Sequence, residues 1–352
     1  MAVYEERAQE WRDRRRPCFL GRTRAVAATA PAGAVTADLG CGAGLHLGAL
    51  GRPAVALDAA FAMTRLAREA APDAWPVQAD LAALPFRRGA LGAAWARASY
   101  LHLPRADLPL ALADLQRALA PGARAALVLH AGDTDGQLPD DDFPGRFFSG
   151  WRAGPLRDVL VGAGFSVDEC AEDPEDGFWL HARVARARTL PDTVGPGMQL
   201  LVCGLNPSVY AADAGVGFAR GGNRFWPAAV AAGLVTRTRD ARDALVGHGM
   251  GMTDLVKRAT PRADELTRGE YREGLGRVDR LVAWLRPGAV CFVGLAGWRA
   301  AVDRHAVAGL QPEPVGGRPA YVMPSTSGLN ARVPLAELAA HLRAARELAL
   351  SC

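Results

Sequence analysis

Short apolar runs that stop at an acid or a glycine alternate, through the first half of the chain, with longer stretches of helical periodicity. "AVTADLG" closes on Asp38 and leads through the glycine-rich "CGAG" toward a helix. "AVALDA" closes on Asp58 and is followed by the helical "AFAMTRLAREAA". "WPVQADL" and "LGAAWARASYL" read as further strands, "LPLALADLQRALAPG" as an amphipathic helix, and "RAALVLH" as the strand it feeds. Beyond an acidic loop, "DTDGQLPDDD", the pattern gives a helix near 151–162 and two more strands, "FSVDEC" and "GFWLHARVARA". Alternation of this kind predicts a mostly parallel sheet with helices on both faces.

Charge, proline and glycine cluster in "RARTLPDTVGPG", and a second α/β pattern starts at Met198. Its predicted strands are "QLLVCGL", "GMGMTDLV", "AVCFVGL" and "AYVMPS". Helical stretches include "EYREGLGRVDRLVAWL" and "PLAELAAHLRAARELAL". Two domains are therefore expected, residues 1–188 and residues 189–352, both α/β. A chain of 352 residues, half of them apolar, has the material for two cores.

Composition narrows the function classes. No uncharged apolar run approaches the ~18 residues of a membrane-spanning helix, and the charged "MAVYEERAQEWRDRRR" lacks the apolar segment of a secretory signal. The six cysteines are scattered without a Cys-x-x-Cys pair, which suits reduced thiols in a bacterial cytoplasm and predicts no metal site. Net charge is −1 over residues 1–188 and +5 over residues 189–352. A polyanionic partner is thus expected, if anywhere, at the second half.

In the first half, Asp38, Gly40, Gly42 and Gly44 form a loop in which the backbone can approach a ligand. Asp58, ending the next strand, is placed to accept from ribose hydroxyls, and Asp80, ending the third, to read an adenine amino group. The wording of "DLGCGAG", "ALDAA", "ADLAALPF" and "LQRALAPGARAALVL" resembles the class I S-adenosylmethionine-dependent methyltransferases. That resemblance implies a Rossmann-like fold with S-adenosylmethionine as cofactor. The segment "ARASYLHLP" carries neither of the motifs of DNA base methylases, so the methyl acceptor is not expected to be DNA. His46, Tyr100 and His102 either line an acceptor pocket or pack within the domain.

In the second half, Asn206 would stand just past the end of a buried strand, where open α/β sheets place their ligands. Phe218 lies in a glycine-rich loop, and "VMPSTSGLN" follows another strand with a second polar loop tipped by Leu329. An amide, an aromatic face and a hydrophobic wedge suit base flipping. The ordered blocks "GLNPS", "GFARGGNRFW", "GMTDLVKRAT", "YREGLGRVDRL" and "VMPSTSGL" resemble the mismatch-specific uracil/thymine-DNA glycosylases of the uracil-DNA glycosylase superfamily. The resemblance implies an α/β/α fold and a monofunctional hydrolase that needs no cofactor. Its substrate would be double-stranded DNA holding a mismatched or damaged pyrimidine: uracil, thymine or ethenocytosine. Carried over residue by residue, Asn206 holds the hydrolytic water and Phe218 stacks on the flipped base. Ser325, Thr326 and Ser327 grip phosphates, while Gly328 and Leu329 form the wedge. Asn223 either braces its loop or touches ligand; Asp254 either accepts from a base N–H or caps a turn. Ser208 replaces a glycine common among relatives, and Lys257 is expected at a phosphate. A monomer that associates with the nucleoid through DNA is expected. The competing expectation is a small-molecule or protein methyltransferase with a vestigial or merely DNA-binding second domain.

Overall fold

The computed structural model describes residues 2–330 and 332–351. They group into two compact units. The first extends to Val161 and includes Phe165–Ala187; the second takes Gly162–Gly164 and the described residues from Arg188 onward.

The first unit begins with three helices, α1 (Ala2–Glu6), α2 (Ala8–Arg14) and α3 (Leu20–Ala27). The sheet is then built from β1 (Thr36–Leu39), β2 (Ala54–Asp58), β3 (Trp75–Gln78), β4 (Leu91–Arg97) and β5 (Leu119–Ala131). These strands lie in the order β3-β2-β1-β4-β5, all parallel, which is the doubly wound, Rossmann-like arrangement. Helices α4 (Leu47–Leu50), α5 (Phe61–Ala70) and α6 (Leu108–Ala118) connect them. In α6 the buried positions Leu108, Ala111, Leu112 and Leu115 follow helical spacing, so one stripe faces the core. The unit is completed by β6 (Asp135–Gly136), β7 (Phe148–Trp151), α7 (Ala153–Gly162), β8 (Phe165–Glu172) and β9 (Trp179–Arg186). Strand β9 runs antiparallel beside β5, and β8 antiparallel beside β9.

Two local expectations are corrected. The helix read through "RALAPG" stops at Ala118, because Leu119 leaves it to pair with Leu91 of β4. Pro121 and Gly122, the latter at φ 75°, suit strand and turn better than helix interior. The helix after the glycine-rich loop is only the single turn of α4, ended by Gly51 at φ 76°.

The second unit contains β10 (Leu200–Gly204), β11 (Met250–Asp254), β12 (Ala289–Val293), β13 (Gly309–Leu310) and β14 (Ala320–Met323). Their order is β11-β10-β12-β14-β13, parallel except for β13. Strands β10 and β12 are buried along their whole length, as parallel strands covered on both faces must be. The helices are α8 (Val209–Ala214), α9 (Phe225–Ala231), α10 (Ala241–His248), α11 (Arg268–Leu285), α12 (Leu295–Ala301) and α13 (Leu335–Leu350). A capping box between Thr267 and Glu270 starts α11. Trp226 and Trp298 belong to the buried interior, whereas Trp284 is partly exposed.

One buried polar network sits behind the end of β11. Asp192 receives Lys257 Nζ on Oδ1 at 2.8 Å and Arg277 on Oδ2 at 2.7 Å. Thr253 donates to the same carboxylate at 2.7 Å. Arg277 also donates to Thr253 Oγ1 and to the main-chain oxygen of Asp254, both at 2.9 Å. Burial alone would raise the Asp192 pKa, but the Arg277 and Lys257 charges hold it below the usual carboxylate range.

Removing one member of such a cluster leaves a buried charge short of its partner, which typically costs about 3–5 kcal/mol. We therefore expect Arg277→Leu to lower the stability of the second unit by that order, with the first unit unaffected. Denaturant unfolding followed by amide exchange in each unit checks this; a loss below about 1 kcal/mol would mean that Lys257 and Thr253 suffice for Asp192.

Candidate functional site

In the second unit the parallel strands bring Gly204, Asp254, Val293 and Met323 to one sheet edge, and the chain turns polar beyond each. Asn206 stands two residues past β10, partly exposed. Its Nδ2 donates to Thr260 Oγ1 at 2.8 Å, to the Arg258 carbonyl at 3.0 Å and to the Pro207 carbonyl at 3.2 Å. Three acceptors share the two N–H hydrogens and fix the amide's orientation, which leaves Oδ1 as its accepting atom. Thr260 is itself held, donating to the Arg262 carbonyl at 2.7 Å. Ser208 Oγ accepts from Ala211 N at 3.1 Å and so starts α8.

Gly204 pairs in register with Asp254. A Cβ at Gly204 would lie 2.5 Å from Asp254 Oδ1 and 3.5 Å from the Phe218 ring. Glycine is thus what lets a carboxylate and an aromatic face converge over the end of β10. Loss of hydration pushes the Asp254 carboxyl up to about 6; Lys257 and Arg277 oppose this and Asp192 adds to it. Phe218 adopts φ 56°, uncommon for a residue with a side chain, and stacks on Phe225 at 4.2 Å and 21°. Phe225 lies fully buried at the start of α9, so the Phe218 ring rests on the core.

Two loops meet beside this ring. Asn223 Oδ1 accepts from Phe225 N at 2.9 Å, which braces the turn into α9. Arg224 N donates to the Thr326 carbonyl at 2.9 Å, and its guanidinium donates to the carbonyls of Asn330 (2.6 Å) and Val333 (2.5 Å). Gly328 lies so close that a Cβ there would be 2.8 Å from the Gly222 carbonyl. Ser325 Oγ accepts from Ser327 N and Ser327 Oγ from Leu329 N, both at 3.3 Å. Leu329 is 97% exposed at the loop tip. Thr326 departs from the expectation of a phosphate contact: it is 1% exposed, its side chain turned into the protein. Lys257 departs likewise, because its ammonium is committed to Asp192 at 2.8 Å.

In the first unit, Gly40, Gly42 and Gly44 all take positive φ after β1. A Cβ at Gly40 would fall 2.2 Å from that of Ser99, so this position admits glycine alone. Asp58 accepts main-chain N–H groups from Gly42 and Ala60, both at 2.9 Å, and holds the loop to the end of β2. Asp38 is 1% exposed with Oδ2 lacking a partner among the described residues. Burial, with the nearby Asp58 charge, pushes its carboxyl up to about 8. Asp80 is exposed and accepts from Ala82 N at 2.9 Å. His102 donates from Nδ1 to the Phe147 carbonyl at 2.6 Å, so Nε2 accepts from the Tyr4 hydroxyl at 2.7 Å. Burial lowers its pKa to about 4. Tyr100 is buried, and His46 is buried against Trp95 with Nε2 on the Cys18 carbonyl at 2.9 Å.

Sequence reasoning missed three groups that shape these sites: Thr260, Arg224, and the Asp192–Arg277 pair. Asp192 lies inside "RARTLPDTVGPG", whose prolines and glycines read as a linker. Among the described residues, no group of three or more His, Cys, Asp or Glu is arranged to hold a metal ion. No described helix is long and apolar enough to cross a membrane.

Residues 191–348 match the uracil DNA glycosylase superfamily, and residues 37–127 match a methyltransferase domain. The chain joins a methyltransferase domain to a domain of the uracil DNA glycosylase superfamily. Solved structures similar to the chain include a TehB-like SAM-dependent methyltransferase from Corynebacterium glutamicum: 23% identity, covering 53% of this chain and 98% of that one, TM-score 0.40. Another is the 1,6-didemethyltoxoflavin-N1-methyltransferase of Burkholderia thailandensis: 19% identity, 53% and 84% coverage, TM-score 0.41. A SAM-dependent methyltransferase from Mesorhizobium loti matches at 19% identity, 46% and 96% coverage, TM-score 0.38.

Because Arg224 spans the two loops of the second unit, Arg224→Ala should free residues 325–330 without unfolding the core. Hydrogen exchange across that loop is expected to speed up about tenfold or more, the effect of losing hydrogen bonds from a charged donor. Unchanged exchange would show that the Gly222–Gly328 contact alone fixes the loop.

Proposed function

We propose that the second unit hydrolyses the N-glycosidic bond of uracil in duplex DNA, chiefly opposite guanine, and that the first unit binds S-adenosylmethionine. The pinned amide of Asn206 carries the first part of this reading. With Nδ2 engaged, Oδ1 is the atom that faces an incoming water, and it accepts a hydrogen bond without taking the proton. Phe218, seated on Phe225, offers a flat face to an extruded pyrimidine. Leu329, at the tip of a braced loop, fills the space the base leaves. Water then forms the bond to C1′ as the glycosidic bond breaks, the base departs with the bonding electrons, and the proton lost by the water passes to bulk solvent. Ionised Asp254 favours the positive charge that develops on the sugar. Lys257, bound to Asp192, is no candidate for covalent attack on that carbon. Thymine and ethenocytosine opposite guanine are secondary substrates of the same reading.

Asn206→Ala is expected to lower single-turnover excision from a G·U duplex about a hundredfold or more, with DNA affinity largely kept. The wild-type rate should rise with pH as Asp254 ionises near 6 and then level off. Asp254→Asn should remove that inflection and lower the plateau. Near-wild-type excision by Asn206→Ala sinks the assignment of the water site; an unmoved pH profile in Asp254→Asn removes Asp254 from the chemistry.

For the first unit, Asp38 holds its proton at neutral pH, since its pKa lies at about 8. A bound sulfonium and ammonium would favour the ionised form, so binding of S-adenosylmethionine near pH 7 should release close to one proton. Titration calorimetry in buffers of different ionisation enthalpy reads this directly. Buffer-independent heats would show that no cationic group of the cofactor reaches Asp38.

A further inference from the structure

Arg97 ends β4, in the first unit, two residues beyond the position where Trp95 pairs with Asp38. It is partly exposed, yet its Nε is buried and lacks a partner. Among the described residues no carboxylate lies within ion-pair distance of it. Two rings wall it instead: Trp179 at 4.9 Å and Phe19 at 5.9 Å from the guanidinium carbon. Burial is the leading influence on it and disfavours its charge; the Cys18 thiol, its own pKa raised by burial, hydrogen-bonds to it, and Arg15 and Asp38 act on it by charge. Arg15 repels, and Asp38 stays protonated at neutral pH, so neither neutralises it.

The backbone on both sides of Arg97 is strained. Ala98, the next residue, sits at φ 52°, and Phe19, the wall, at φ 56°. Left-handed conformations at residues with a Cβ persist where surrounding structure imposes them, and they concentrate at ligand sites. The adjacent Ser99 Oγ and the Asp38 Oδ2 are also buried without partners. A desolvated guanidinium with planar donors and no counter-ion is a receptor for a carboxylate.

We propose that Arg97 binds a carboxylate at the far end of the first unit's ligand site from Asp58, between the faces of Phe19 and Trp179. Two sources have this chemistry: the amino-acid carboxylate of the cofactor, and a carboxylate on the methyl acceptor. The proposal takes only the location of the site from the reading of this unit as a cofactor-binding domain.

The test titrates the full-length protein, wild type, Arg97→Gln and Arg97→Lys, with three probes. S-adenosylhomocysteine carries the cofactor's carboxylate, 5′-methylthioadenosine lacks it, and benzoate stands for an aromatic-compatible acid. Arg97→Gln is expected to lose about tenfold or more in affinity for S-adenosylhomocysteine or for benzoate, with methylthioadenosine binding unchanged and partial recovery in Arg97→Lys. Loss of S-adenosylhomocysteine affinity identifies the cofactor's carboxylate as the partner; loss confined to benzoate identifies the acceptor. If the wild type binds neither nucleoside, the cofactor reading of this unit fails, and benzoate alone decides the role of Arg97. Equal affinities of wild type and Arg97→Gln for both acids overturn the proposal. A parallel fall in methylthioadenosine binding also overturns it, because Arg97 would then be supporting the fold.

Discussion

Four charged groups share the buried space behind the end of β11: Asp192 and Asp254, Lys257 and Arg277. A low-dielectric interior tolerates them only because the charges are matched and each hydrogen-bonding atom of Asp192 is met. That matching decides where the site can be. Arg277 holds both Thr253 and the main-chain oxygen of Asp254, so the strand end that presents Asp254 is fixed from below. Gly204 then leaves the room above, and Phe218 closes it from the side. Much of the candidate site in the second unit follows from satisfying a single buried carboxylate.

Both units use the same device on different sheets. Each ends a buried parallel strand beside a desolvated aspartate, Asp38 on β1 and Asp254 on β11, and each holds that carboxyl above its ordinary range. The physical cause is shared, since strand ends in doubly wound sheets are where polar groups emerge from the core before reaching water. The consequences differ with the setting. Asp38, beside Asp58, ionises only near 8. Asp254, beside Lys257 and Arg277, is ionised at neutral pH and acts as a fixed negative charge.

The parallel strands of both units were legible because continuous apolar runs ending in Asp38, Asp58, Gly204 and Asp254 admit few other readings. Asn206 and Phe218 were legible as candidates from their place after such a strand. The fixing of Asn206 by Thr260 was not: a threonine fifty-four residues away carries no local signal, and its role depends on the loop after β11 folding back on Pro207. Asp192 was hidden for the opposite reason. Its neighbours Pro191 and Gly195 are ordinary linker residues, and only the folded unit delivers two cations to it. Thr326 looked equivalent to Ser325 and Ser327, yet alternation past β14 turns it inward while its neighbours stay nearer the surface.

A hydrophobic wedge, the role proposed for Leu329, is effective only if it does not relax when pressed. Leu329 is almost fully exposed, and nothing packs its side chain, so its stiffness must come from the loop beneath it. That loop is tied three ways. Ser325 and Ser327 turn it locally, Asn330 Nδ2 closes it onto the Ser325 carbonyl at 2.9 Å, and Arg224 anchors its far end. Arg224 also begins α9, whose first residue supports Phe218. The loop tip that carries Leu329 and the Phe218 ring are therefore joined through one arginine and the close approach of Gly328 to the Gly222 carbonyl. In the reaction proposed for this unit, filling the base stack and receiving the extruded base are then mechanically coupled, and Gly328 is small because a Cβ there would meet the Gly222 carbonyl at 2.8 Å.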